Sequence, residues 1–259
     1  MSNWHYIKEY IRFQFTAKHH KGHGVHSPFV FSLVEDILNE KNPYYAYTKI
    51  ENIRRSLLSD HSSIYVNDHG TGKSRERKVS DIAYKSLKGK KEAQMLFRFA
   101  CSMQPQNILE LGTCLGVTTL YLSFSRPSAQ IYTIEGCPNI ARIAQQNFKN
   151  AKASNIKSIV GNINTQLPKV LSSIDELGMV FFDANHTKEA TLNYFYQCLE
   201  KVNNNTIFIF DDIYWSEEMT QAWQEIYNNQ AVTYSIDLFS MGIVFFNKEW
   251  KKSHFRIKF

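Results

Sequence analysis

The sequence predicts an α/β protein built on a doubly wound, mostly parallel sheet. Three observations predict it. From about residue 107, short β-branched or aromatic runs alternate with segments striped at helical spacing, a glycine turn joins the first such strand to the first such helix, and acidic residues close the later strands. The chain has 259 residues, 43% hydrophobic and 21% charged, which is enough apolar surface for a sizeable core and excludes a largely disordered chain.

In chain order, residues 1–90 read as a mostly helical N-terminal segment. Ser27 followed by Pro28 marks a helix start ahead of Val30, Leu33, Val34 and Ile37. Further helical stripes fall at Ile50, Ile53 and Leu57, at Val79, Ile82 and Ala83, and at Ala93, Leu96, Phe97 and Ala100. Candidate strands are NILEL (107–111), IYTIE (131–135), IKSIV (156–160), MVFFD (179–183) and TIFIFD (206–211), which read as apolar on both faces, as covered parallel strands do. Intervening helices show stripes at Val117, Leu120, Tyr121 and Phe124, at Ile140, Ile143 and Ala144, at Leu192, Phe195 and Leu199, and at Met219, Ala222, Trp223 and Ile226, the last with a start signal at Ser216. AVTYSIDL and GIVFF follow with too few residues between them for a crossover helix, so they form an antiparallel C-terminal hairpin at the sheet edge. The expected architecture is a seven-stranded sheet spanning residues 91–259, with residues 1–90 as a helical lid over the substrate.

The chemistry begins at ILELGTCLGVTTLYLS (108–123). A buried strand runs through Glu110 into Gly112, then Gly116, then directly into a helix. Glycine lets the backbone turn sharply and approach a ligand, and the helix start offers free N–H groups. The next strand ends in Glu135, near the ~20-residue offset at which such folds place an acid on ribose hydroxyls. An ordinary βα turn with Glu135 capping the following helix is the competing reading. At these residues the chain resembles the class I S-adenosylmethionine-dependent methyltransferases, Rossmann-like proteins, and within them the catechol O-methyltransferase-like branch, whose first motif reads E-L-G-x-x-x-G. The resemblance covers roughly residues 90–250. It implies that Glu110, Gly112, Thr113, Gly116 and Thr118 lie beside the methionine part of the cofactor. It further implies that Glu135 and Gly136 take the ribose, that Gly161 and Asn162 approach the adenine, and that Asp183 also borders the cofactor.

Asp183 closes one strand, and Asp211 and Asp212 close the next. Strand ends of a doubly wound sheet share one crevice, and three carboxylates there repel one another unless a cation neutralises them. Oxygen donors suit Mg2+ or another hard divalent ion. The alternative is that Asp183 and one of the pair cap helices or hold loop backbone. In the resembled branch a general-base lysine stands three residues after the metal aspartate; His186 takes that position here, as a base, as an orienting group or as a structural histidine.

Other motifs carry less. GTGKS (70–74) lacks the first glycine of a phosphate loop, because Asn67 stands there, so it reads as a loop over the cofactor crevice. His19, His20, His23 and His26 lack further ligands at finger spacing and read as a loop into the capped helix. Cys101, Cys114, Cys137 and Cys198 form no C-x-x-C pair, which fits a reducing cytoplasm. No signal peptide or spanning run is read. The net charge of +6 gathers in Lys73–Lys91, without interleaved aromatic residues, and reads as a solvated face. The expected function is methyl transfer from S-adenosylmethionine to an oxygen of a small molecule, with Mg2+ assistance, no nucleic acid and no membrane partner, and a homodimer left open. The rival is a catalytically silent module that grips RNA or another polyanion.

Overall fold

The computed structural model describes residues 3–17, 26–67 and 74–259; His19, His20 and His23 and the Gly70–Lys73 part of the glycine loop lie outside them. The elements are α1 (Asn3–Thr16), α2 (Pro28–Leu33) running into a π-helical turn (Val34–Leu38), α3 (Tyr45–Leu58), β1 (Ser63–Val66), β2 (Arg75–Lys78), α4 (Val79–Ser86) and α5 (Lys90–Met103). Then come β3 (Asn107–Leu111), α6 (Val117–Ser125), β4 (Gln130–Glu135), α7 (Pro138–Ala151), β5 (Ile156–Val160) and α8 (Ile163–Ser172). The chain ends with β6 (Met179–Phe182), α9 (Lys188–Leu199), β7 (Ile207–Asp211), α10 (Glu217–Asn228), β8 (Tyr234–Asp237), β9 (Met241–Phe245) and β10 (Ser253–Arg256). The residues fall into two compact units, Asn42–Ile174 and Met1–Lys41 with Asp175–Phe259.

In the unit Asn42–Ile174, β3, β4 and β5 pair in parallel, joined by α6 and α7. Their helices bury the stripes read from the sequence: Ile50 and Leu57 of α3, Ile82 of α4, Phe97 of α5, Leu120 and Tyr121 of α6, and Ile140, Ala144 and Phe148 of α7 form one apolar cluster. Tyr47 sits in its middle with ring centroids 5.1 Å from Phe97 and 5.6 Å from Tyr121. The segment before residue 90 is mostly helical, as expected, with one antiparallel hairpin of β1 and β2 within it. One expectation needs correction: β5 is an edge strand with partly exposed side chains, so it is not covered on both faces.

In the other unit the strand order is β10-β8-β9-β7-β6. β6 and β7 run parallel and β9 and β8 return antiparallel, so the expected hairpin forms. α10 starts at Ser216, whose hydroxyl accepts from the Met219 N–H, and lays Trp223 on β9 at Gly242. A Cβ on Gly242 would stand 2.6 Å from Trp223 Cζ3, so glycine is what lets the ring reach the sheet. The mostly parallel sheet holds eight strands where seven were expected. The additional strand, β10, pairs in parallel with β8, so the hairpin is not the edge.

Candidate active site

The glycine turn is built from positive-φ backbone. Gly112 has φ +100°, Cys114 +48° and Gly116 +82°, and Gly116 caps α6. The N–H groups of Gly112 and Thr113 both reach the Ile134 carbonyl, at 3.0 and 3.3 Å, which pins the turn to the end of β4. A Cβ on Gly116 would meet Phe148 and Ala144 of α7. Beneath the turn, Glu110 is fully buried and accepts hydrogen bonds from Thr119 Oγ1 and from Thr133 Oγ1, the latter at 2.6 Å. Thr133 in turn lies 2.6 Å from Thr113 Oγ1, so three hydroxyls and one carboxylate tie β3, β4 and the turn together. Thr118 is buried in the first turn of α6.

Glu135, at the end of β4, takes the Cys114 N–H on Oε2 and the Cys137 N–H on Oε1, each at 2.9 Å. It therefore steadies the glycine turn and holds the backbone leading into α7, whose N-cap, Cys137, makes no side-chain cap bond. Gly136 follows directly. Gly161 has φ +143° and donates its N–H to the Glu135 carbonyl at 2.9 Å. Asn162 is exposed and caps α8, its side chain accepting from the Asn164 N–H at 2.8 Å.

In the unit that holds the later strands, Asp183, His186 and Asp211 place one ligand atom each within 4.8 Å of one another. His186 Nε2 lies 3.5 Å from Asp183 Oδ1, and Nδ1 lies 3.9 Å from Asp212 Oδ2. Asp212 is outside the tight group. Asn185 and His186 both adopt positive φ, at +64° and +38°, an unfavourable backbone for side chains that clusters at functional sites. Asn185 Nδ2 donates to the Tyr194 hydroxyl at 2.6 Å, which anchors this loop on α9. Asp211 is buried at the end of β7 and Asp212 has φ +52°, its N–H held by the Ser240 carbonyl at 2.8 Å. Two carboxylates suit a hard divalent cation such as Mg2+ or Mn2+, and the imidazole nitrogen shifts the donor set toward Mn2+ or another first-row transition ion.

Behind Asp212 is a buried network that the sequence reading missed. Asp237 accepts from the Tyr214 hydroxyl at 2.6 Å and the Phe239 N–H at 2.9 Å, and Arg256 Nε lies 3.3 Å away. Burial pushes the Asp237 carboxyl above the usual carboxylate range, opposed by those three partners; burial and Asp237 together push the Tyr214 hydroxyl up. Phe239, at φ +72°, carries its ring into a cage of Tyr6, Tyr10 and Phe13 from α1 and Tyr214. The available signal was an acid inside the apolar alternation of YSIDL.

Residues 109–213 match the family model of a methyltransferase domain. The chain is 29% identical over 113 residues to a catechol O-methyltransferase of Niastella koreensis, covering 42% of this chain and 50% of that protein. Residues 109–213 thus resemble a class I methyltransferase domain, and catechol O-methyltransferases are among the proteins they are similar to. A catechol O-methyltransferase of Mycobacterium tuberculosis is 26% identical over 124 residues, 47% of this chain and 54% of that one. The chain thus spans about half the length of the curated relatives it matches. A crystal structure of a putative O-methyltransferase from Klebsiella pneumoniae shares the methyltransferase fold, with a TM-score of 0.58 at 15% identity over 82% of this chain and 94% of that chain. So does the O-methyltransferase TomG of Streptomyces achromogenes, solved in complex with S-adenosylmethionine, with a TM-score of 0.58 at 15% identity over 80% and 91% of the two chains.

Proposed function

We propose that the protein transfers the methyl group of S-adenosylmethionine to a hydroxyl oxygen of a small molecule, with help from a divalent cation. The observation that carries this reading is the pinned Gly112–Gly116 turn with the Glu135 carboxylate bound to its Cys114 N–H, and the Asp183, His186 and Asp211 cluster of the other unit supports it separately. S-Adenosylmethionine supplies an electrophilic methyl. Gly112, Gly116 and the α6 N-terminus would cradle it, Glu135 would accept from its ribose hydroxyls, and Gly161 with Asn162 would border its adenine. Asp183 and Asp211 would hold the cation with His186 as third donor, and Asp212 would orient the imidazole through Nδ1, as carboxylates do for metal-bound histidines. A divalent cation supplies charge that lowers the pKa of an acceptor hydroxyl. His186 would alternatively take the hydroxyl proton as a general base; one nitrogen cannot do both at once. The related and similar proteins named above are O-methyltransferases, which favours this reading over a polyanion-binding module without turnover.

The test is titration calorimetry with S-adenosylhomocysteine. The wild type should bind, and Glu135→Ala should weaken binding by about 1 to 3 kcal/mol, the worth of charge-assisted hydrogen bonds to the ribose. Unchanged affinity in the variant would leave Glu135 a structural residue, and no binding by the wild type would end the methyl-transfer reading.

A further inference from the structure

We propose that α1 docks the protein onto the surface of an anionic phospholipid bilayer, through an outward face made of Trp4, Ile7, Lys8, Ile11, Arg12 and Phe15. These positions are three or four apart and so lie on one side of the helix. Trp4 is 73% exposed, Ile7 46%, Ile11 51% and Phe15 87%. Isolated exposed apolar side chains are ordinary; four along one helix face are a surface built to be covered.

The face cannot turn inward to hide. On the opposite side Phe13 is buried, the rings of Tyr6, Tyr10 and Phe13 sit 5.0 to 5.4 Å from Phe239, and His5 Nε2 lies 2.9 Å from Thr220 Oγ1 on α10. These contacts fix the rotation of α1 about its axis.

Charge selects the occupant. The one acidic residue of α1, Glu9, is buried and lies 4.0 Å from the Arg12 guanidinium, so the charges exposed beside the apolar stripe are Lys8 and an Arg12 partnered from its inner side. A second copy laid on the same face would bring Lys8 and the exposed part of Arg12 into an apolar contact that offers no outward carboxylate, and charged residues are depleted from such contacts. Anionic headgroups supply the partner, while Trp, Ile and Phe enter the headgroup–acyl boundary, as in helices that lie in the membrane interface. None of the described helices is long and apolar enough to cross a membrane, so the contact is with the surface. The inference does not depend on the methyl-transfer reading.

The full chain would be sedimented with vesicles of phosphatidylcholine alone and of equimolar phosphatidylcholine and phosphatidylserine, at low and high salt. It should pellet with the anionic vesicles, far less with the neutral ones, and less as salt rises. Ile11→Glu should cut the partition coefficient at least roughly tenfold by placing a carboxylate at the apolar boundary. Tyr84→Glu, an exposed position on α4, adds the same charge elsewhere and should leave most of the binding. Circular dichroism would confirm that both variants fold. Failure to pellet with anionic vesicles would overturn the proposal. So would an equal loss in Tyr84→Glu, which would mean general electrostatic adhesion, or a dimer that Ile11→Glu splits in sedimentation velocity, which would mean that a second copy covers the face.

Discussion

At Gly116 one absent carbon decides the geometry of the turn. A Cβ there would lie 2.5 Å from Phe148 Cε1 and 3.1 Å from the Ala144 Cβ, on backbone at φ +82°. Gly116→Ala should therefore cost about 2 to 4 kcal/mol, strain and overpacking together, measured by urea denaturation. A loss below about 0.5 kcal/mol would mean that α7 yields freely, contrary to the dense packing of protein cores. The sequence made Gly116 legible as a position that needs glycine, but not its neighbour, because nothing local says which helix Phe148 will bring across. Glu135 was legible as an acid at a strand end. Its two amide partners were not, since the Cys114 N–H points at it only because Cys114 takes a left-handed backbone.

Elements were legible where apolar periodicity was strong. β5 matches IKSIV and β3 matches NILEL, and Ser216 caps α10 as its position suggests. The missed elements have sequences that hide their state: RERK in β2 is charged throughout, SHFR in β10 shows little apolar alternation, and α8 contains Pro168, which reads as a breaker. In the candidate site, the carboxylates were visible as strand-end residues, whereas the Ser240 carbonyl and the Phe239 cage come from a turn after β8. That turn is a testable coupling between α1 and Asp212. Phe239→Ala removes the ring that Tyr6, Tyr10, Phe13 and Tyr214 surround, so it should destabilise by about 2 to 4 kcal/mol and speed proteolytic release of α1. Phe239→Gly should recover about 1 kcal/mol of that loss, because glycine accepts φ +72° without strain. If α1 stays equally protected in Phe239→Ala, the cage is not what holds it.

For the whole molecule, the proposed cofactor residues other than Asp183 belong to the unit Asn42–Ile174, whereas the cation cluster belongs to the unit formed by Met1–Lys41 and Asp175–Phe259. The two ligands should therefore be separable by substitution. A ligand that binds only the folded state stabilises it by about 2.7 kcal/mol at a hundred times its Kd, so each should raise the midpoint of thermal unfolding. In the wild type both S-adenosylhomocysteine and Mn2+ should do so. Glu135→Ala should lose most of the S-adenosylhomocysteine shift and keep the Mn2+ shift. Asp211→Asn, which keeps the shape of the side chain but gives up a charge, should lose the Mn2+ shift and keep the other. Turnover follows the same division: EDTA should suppress it, Mg2+ or Mn2+ should restore it, and Asp212→Ala should abolish it while leaving S-adenosylhomocysteine bound. Full activity in EDTA together with no Mn2+ shift would remove the cation from the reaction. Methyl transfer would then rest on His186, which stands between Asp183 and Asp212 with a nitrogen toward each.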